Sequence, residues 1–193
     1  MVNIWKVGSW PGLWGENTFD NKEKFALKYA IPFDFIAIGS GYLPDLKGWT
    51  KKEIKKEIKN KTDKSKEDVD FRTETVNDFV NKMKIGDVVF LDLDGNEGYI
   101  GEISSEYYYV GKNSKLNFIK ETKEHNYAPH RRDVCWKHKN RYFEALRFSN
   151  VNLDIKELKG SVLEIRSDHI ERIENTKLKK YLKVMLSVPY LID

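Results

Sequence analysis

Short runs rich in aliphatic, β-branched and aromatic residues recur along this chain, and several of them lead into glycine-containing segments. Runs of this length and composition predict β-strands. Two of them flank Asp94-Gly95-Asn96, a sequence typical of the tight turn in a β-hairpin. The predicted strands are residues 3–7, 33–38, 88–93, 99–104, 132–137 and 162–165.

Other segments place apolar residues at spacings of three and four, which predicts amphipathic helices. In residues 73–82 the side chains of Val76, Phe79 and Val80 fall on one side of such a helix. Thr50 and Glu53 have the spacing of a capping box, so a helix is expected to begin at residue 51. The predicted helices are residues 21–30, 51–59, 73–82, 170–173 and 176–186.

Two segments lack either period. Residues 60–70 are almost entirely polar and charged, which predicts a solvated loop, and residues 111–129 are predicted to form a long loop over a barrel mouth. Because no repeat or strong linker occurs, we predict a single α+β domain over residues 1–193. Its barrel would cover about residues 3–166, and a C-terminal basic helix about residues 176–187.

The composition, 40% hydrophobic and 33% charged, is that of an ordinary globular chain. The sequence contains no run of about 18 apolar residues, so no membrane span is predicted. The N-terminus lacks the charged-then-apolar layout of a signal peptide. A cytoplasmic protein without membrane association is therefore expected. Cys135 is the single cysteine, which excludes an internal disulfide, and its place in an alternating apolar run predicts a buried thiol.

The net charge of +4, from 34 basic and 30 acidic residues, does not by itself indicate a nucleic-acid partner. The aromatic content is more informative, with 5 Trp, 10 Tyr and 10 Phe. Several of these rings lie beside glycine or proline rather than within predicted strands. They include Trp10, Trp14, Tyr42, Trp49 and the run Tyr107-Tyr108-Tyr109.

The residue patterns of common catalytic sites are missing. None of the four histidines has a Cys or carboxylate at metal-ligand spacing, and the sequence contains no phosphate-binding loop or nucleophile elbow. Asp92 and Asp94 come nearest to a Mg²⁺-dependent nuclease pattern, but the return strand lacks a Glu-x-Lys. A solvent-facing hairpin is the favoured interpretation of these carboxylates. We expect a non-catalytic binding protein with no cofactor and no metal; a nuclease is the catalytic alternative.

A protein that binds an extruded base needs aromatic rings to stack it, polar groups to contact its edge and cations for phosphates. The chain offers such groups where the predicted strands end. The predicted base pocket consists of Ser9, Trp10, Ser40, Tyr42, Tyr109 and Tyr127. The predicted phosphate contacts are His130, Arg131 and Arg132.

Seven short motifs follow one another over about residues 3–137. They are Trp5-Lys6, Ile36-Ala37-Ile38-Gly39-Ser40, Pro44-Asp45-Leu46, the lysine-rich segment 51–59, the segment from Phe79 to Val88, the segment from Gly98 to Tyr107, and His130-Arg131-Arg132-Asp133-Val134-Cys135-Trp136. In this order they resemble the PUA-like superfamily, with its EVE and YTH domains. Within that superfamily the chain is similar to the N-terminal modified-DNA-reading domains of McrB-type restriction systems.

The resemblance implies a PUA-like curved β-barrel of about five or six strands decorated by helices. It also implies DNA binding, favoured over RNA, with a flipped methylated base in an aromatic cage. The chain would then be the targeting part of a modification-dependent restriction or defence system, and a motor or nuclease subunit or domain would be supplied elsewhere. Ser40 departs from the pattern, because relatives often carry Trp after Ile-Gly; methylated adenine and methylated cytosine both stay open as ligands.

Two other functions fit the same sequence. A YTH-type reader of modified RNA would share the barrel and the aromatic cage. A protein-interaction scaffold would bind no nucleic acid, and its rings would be structural. The structural interpretation is favoured for Trp5 and Trp136, which lie within predicted strands, and alternation requires at least one ring of residues 107–109 to be buried.

Overall fold

The computed structural model describes residues 2–8, 19–93, 97–111, 114, 128–137, 147–148 and 162–187. Two π-helical turns span Ala26–Ala30 and Asp78–Lys82. The strands are β1 (Ile4–Gly8), β2 (Phe35–Ile38), β3 (Val88–Asp92), β4 (Gly98–Ile103), β5 (Tyr108–Tyr109), β6 (His130–Trp136), β7 (Arg147–Phe148) and β8 (Val162–Glu164). The helices are α1 (Phe19–Phe25), α2 (Lys51–Lys61), α3 (Lys66–Asn77), α4 (Ser167–Glu171) and α5 (Thr176–Ser187).

Six of these strands form a curled, half-barrel sheet in the order β2-β6-β4-β3-β1-β8. The short strands β5 and β7 pair with β6 and β4. Strands β1 and β3 run parallel, and the other pairs are antiparallel. The parallel pair requires a crossover, which α1, β2, α2 and α3 supply. The expected combination of a curved sheet with helices is therefore confirmed at the level of a mixed α+β fold.

The sheet separates two hydrophobic cores, because successive side chains of a strand point to opposite faces. In β1, Trp5 and Val7 enter the main core, whereas Ile4 enters a second core. The main core includes side chains of α1, α2 and α3, and the second core those of α4 and α5. Trp5 and Trp136 are each 1% exposed, which confirms their predicted structural role.

Helices α2 and α3 form an antiparallel pair beside the main core. The predicted capping box is present: Glu53 donates its backbone N–H to the Thr50 hydroxyl, and its carboxylate accepts from the Thr50 N–H. Ion pairs Lys51–Glu74 and Lys55–Asp70 join the helices on their solvent side. These contacts explain how two highly charged segments pack with few apolar residues.

The solvated loop predicted at residues 60–70 is wrong for its second half. The Ser65 hydroxyl accepts a hydrogen bond from the Asp68 N–H at 3.2 Å and caps α3, which begins at Lys66. Val69 is 3% exposed and lies one turn before Thr73. One buried apolar residue per turn is enough here, because the other faces of this helix contact solvent or α2.

Two predicted side-chain environments are also corrected. Cys135 is exposed, because the alternation of β6 turns Val134 and Trp136 inward and Cys135 outward. Asp92 does not face solvent: it is 4% exposed and forms an ion pair with Lys6 at 3.3 Å. Asp94 lies outside the described residues.

The described residues contain neither a metal-ion cluster nor a membrane-spanning helix. Among the described residues, no group of three or more His, Cys, Asp or Glu side chains is placed to hold a metal ion. Within the same residues, no helix has both the length and the apolar character needed to cross a membrane.

Gly101 is predicted to be essential for packing β4 against β6. A Cβ atom there would lie 2.3 Å from Val134 Cγ1 and 2.9 Å from Trp136 Cε3. Gly101→Ala should lower the free energy of unfolding by about 1–3 kcal/mol through overpacking, as measured by urea denaturation. Gly111→Ala is the matched control, since a Cβ atom at Gly111 meets nothing within 4 Å. Equal stability of the two variants would contradict this packing.

Candidate functional site

Strand β6 begins with three consecutive polar residues whose side chains are all buried. His130 is 0% exposed, and Arg131 and Arg132 are each 1% exposed. Buried polar and charged groups are costly unless they form hydrogen bonds. Each of these side chains therefore fixes the position of the backbone carbonyl with which it pairs.

His130 joins the end of β2 to the segment before β5. Its Nε2 lies 3.1 Å from the Ser40 carbonyl oxygen, and its Nδ1 lies 2.9 Å from the Tyr107 hydroxyl. Because a carbonyl only accepts, Nε2 carries the proton of the neutral ring, and Nδ1 accepts from Tyr107. The Tyr107 oxygen in turn accepts the Leu46 N–H at 3.1 Å. This chain of hydrogen bonds holds the turn that contains Ser40.

Burial makes the neutral form of His130 the stable one. Desolvation lowers the pKa of His130 to about 4, against a weaker raising effect of its hydrogen bond to Ser40. Desolvation also raises the pKa of the Tyr107 hydroxyl, which therefore stays protonated. The Tyr107 ring stacks on the imidazole at 5.9 Å, and the Tyr109 ring meets it edge-on at 5.3 Å.

Arg132 binds the π-helical turn that follows α3. Its Nε donates to the Phe79 carbonyl at 2.8 Å and its Nη2 to the Val80 carbonyl at 2.9 Å, both within the π-helical turn. Its Nη1 donates to the Ser105 carbonyl at 3.2 Å. Carbonyls at a helix C-terminus lack partners within the helix and favour a cation, so the guanidinium satisfies them. Burial nevertheless lowers the pKa of Arg132.

Arg131 points to the other face of β6. Its Nε donates to the Ala128 carbonyl at 2.8 Å, and its guanidinium lies 4.8 Å above the Phe35 ring. Such stacking of a cation on an aromatic face is favourable when water is excluded.

The expectation that His130, Arg131 and Arg132 face phosphates on the surface is corrected by their burial. All three side chains make contacts inside the protein, so none is available at the surface. The sequence contained a signal for part of this: His130 and Arg132 alternate in register with Val134 and Trp136, which face the main core.

A cleft opens between the end of β2 and α3. Its volume is about 380 Å³, and the buried side chains of Ile38 and Val76 contribute to its lining. Phe71, 48% exposed, and the half-buried Arg72 stand on its α3 side. The full set of lining residues is Ile38, Gly39, Ser40, Asp68, Phe71, Arg72, Thr75 and Val76.

Both sides of this cleft are held by β6. On one side, His130 binds the Ser40 carbonyl. On the other side, Arg132 binds the Phe79 and Val80 carbonyls in the turn that follows α3. The cleft is therefore built on hydrogen bonds that the interior of the protein requires in any case.

The structure brings together two of the six predicted pocket residues. Ser40 and Tyr109 both contact His130. Tyr42 is half-buried against the main core, and its buried hydroxyl has no hydrogen-bond partner within the described residues. Ser9, Trp10 and Tyr127 lie outside the described residues. Sequence reasoning missed Phe71 and Arg72, although an aromatic residue beside an arginine was the visible signal.

Helix α2 carries the most concentrated positive surface of the described helices. Lys52, Lys56 and Lys59 are exposed at spacings of four and three, which places them on one side of the helix. No acidic partner of these three lysines occurs in the part of the chain that the structure describes. On α5, by contrast, Lys179 and Lys183 both pair with Glu171.

The chain thus has a mixed α+β fold with a curled sheet. It belongs to the family described as Domain of unknown function (DUF8426), whose match covers residues 14–159, more than half of the chain. No curated protein matches the sequence.

The protonation of His130 can be followed directly. Its pKa in the folded protein is about 4, below the ordinary histidine value of 6.5, so acid favours the unfolded chain. The contribution of this group to stability should be complete above pH 6.5 and lost as the pH falls towards 4. An NMR titration of the imidazole should give a midpoint near pH 4 and a proton on Nε2. A midpoint near 6.5 would contradict the buried network.

Proposed function

We propose that this chain is a nucleic-acid-binding module with a PUA-like fold that holds one flipped, modified base, with DNA favoured over RNA. The convergence of Ser40 and Tyr109 on His130 is the observation that supports this most. These residues come from the end of β2 and from β5, two of the segments in which the sequence predicted the base pocket.

The chemistry of this corner suits a base. The aromatic ring of Tyr109 supplies a stacking surface, and the turn at Ser40 supplies backbone and hydroxyl groups for hydrogen bonds. His130, which contacts both Tyr109 and Ser40, is uncharged in its neutral state. In the proposal, a methyl group on the base is favoured because an apolar wall removes it from water.

The proposed role is targeting rather than catalysis. The motif order similar to McrB-type domains supports a place in a modification-dependent restriction or defence system. A motor or nuclease would be supplied by another subunit or domain. The exposed lysines of α2 would contact phosphates without regard to base sequence.

Tyr109→Ala is predicted to weaken binding of an oligonucleotide with one methylated base by about 1–3 kcal/mol, the usual effect of removing a stacking ring. Binding of the unmodified oligonucleotide should change much less. Fluorescence anisotropy with paired methylated and unmodified DNA and RNA strands measures both effects. Tyr181→Ala, at a partly buried tyrosine on the second core, is the control. Equal losses for methylated and unmodified strands would show that Tyr109 is structural, and absence of oligonucleotide binding by the wild type would overturn the proposal.

The triple variant Lys52→Gln, Lys56→Gln, Lys59→Gln should weaken binding to every duplex sequence alike. Each lost phosphate contact reduces the slope of log K against log salt by about 0.9, so a decrease of up to about 3 is expected. The control is a triple variant on α5 that combines Lys179→Gln, Lys180→Gln and Lys183→Gln. It removes the same number of charges, two of which already pair with Glu171. An identical slope change in both triple variants would mean that α2 has no specific contact.

A further inference from the structure

Beyond the proposed base pocket, the cleft between β2 and α3 has an unassigned set of chemical groups. Phe71 leaves about half of its surface in water, which is unfavourable for a phenylalanine. Arg72 is half-buried, and within the described residues its guanidinium forms no ion pair or side-chain hydrogen bond. A planar apolar ring and an available guanidinium therefore occupy adjacent positions on one helix.

The remaining lining groups add hydrogen-bonding capacity. Asp68 precedes Arg72 by one turn of α3, and its carboxylate is exposed at the cleft without an ion-pair partner in the described chain. Thr75 contributes a hydroxyl group on the same side of the helix. The volume of about 380 Å³ lies within the roughly 300–1,000 Å³ typical of small-molecule sites.

These groups complement the parts of one nucleotide. A base would stack on Phe71, as bases do on exposed aromatic rings. A phosphate would pair with the Arg72 guanidinium, whose fork of donors matches phosphate oxygens. The Asp68 carboxylate would accept a hydrogen bond from an exocyclic amino group, which cytosine and adenine carry and thymine lacks.

The cleft shares one residue, Ser40, with the proposed base pocket. Ser40 lines the cleft, and its carbonyl is bonded to His130, against which Tyr109 packs. In this inference, a strand that places one base beside Tyr109 crosses Ser40 and brings a neighbouring nucleotide to Phe71.

We infer that this cleft is a second nucleotide site, which binds an unpaired, amino-bearing base next to the extruded one. The inference rests on the proposed function and extends it from one base to two. It makes the natural ligand a strand that is unpaired at both positions rather than an intact duplex with a single flipped base.

The test uses the full chain and a short single-stranded oligodeoxycytidine that carries one methylated base. Phe71→Ala should weaken binding about tenfold in fluorescence anisotropy. Phe33→Ala is a matched control, because Phe33 is 50% exposed and lies outside the cleft. Its affinity should equal that of the wild type. Unfolding curves of both variants show whether either change disturbs the fold.

A second arm measures coupling between the ring and the neighbouring base. An abasic site next to the methylated base, tested on each side in turn, should weaken wild-type binding about tenfold at one of the two positions. The same abasic position should change the affinity of the Phe71→Ala variant little, because that variant lacks the ring on which the missing base would stack. Independent, multiplicative losses at both positions would overturn the inference.

The outcomes separate the two proposals. If the wild type binds and Tyr109→Ala weakens binding, but Phe71→Ala behaves like Phe33→Ala, the second nucleotide site is wrong and the proposed function stands. If the wild type binds no oligonucleotide, both are wrong. Equal affinity for strands with cytosine or thymine at the neighbouring position would overturn the assigned role of Asp68.

Discussion

The arrangement of this structure depends on the burial of three polar residues at the beginning of strand β6. His130, Arg131 and Arg132 lie in sequence on β6 and are almost completely inaccessible to water. Burying such groups is tolerable only with partners of good geometry, and removing a partner leaves a costly unpaired group. The position of β6 thereby dictates the positions of several distant backbone carbonyls.

Several of those carbonyls belong to elements that also contribute to the proposed site. Ser40 begins the turn after β2, and Phe79 and Val80 lie in the π-helical turn that follows α3. A rigid interior thus holds a surface cleft without contributing its own charges to that surface. Sites built on such supported elements keep their geometry better than sites on free loops. Charges for phosphate contact would come instead from α2 and from Arg72.

Local features of this fold followed from the sequence. The strand predicted at residues 3–7 and the capping box at Thr50 depend on neighbours within a few residues, and both were predicted correctly. The start of α3 was missed because Val69 is the single buried apolar residue in its first two turns, and one residue shows no helical period. Cys135 was misplaced by one step of strand alternation, since an apolar run does not show which of its faces is buried.

The candidate site was predictable only in part, because its contacts are long-range. Ser40 and His130 are separated by 90 residues, and Arg132 and Phe79 by 53. Strand alternation indicates that Arg132 faces the main core, but no local period reveals which backbone carbonyls it will bind. Aromatic rings beside glycine turns did point to Ser40 and Tyr109. They gave no reason to select Phe71 and Arg72, whose importance depends on where α3 packs.

Mapping the bound strand onto the backbone amides tests the central claim most directly. A ¹⁵N-labelled chain would be titrated with a single-stranded oligonucleotide that carries one methylated base. The account predicts that the largest shift changes occur at Gly39, Ser40, Phe71 and Arg72, with Tyr109 included, and that α5 stays unchanged. Changes confined to α5, or spread evenly over the lysines, would contradict a base-binding corner held by β6.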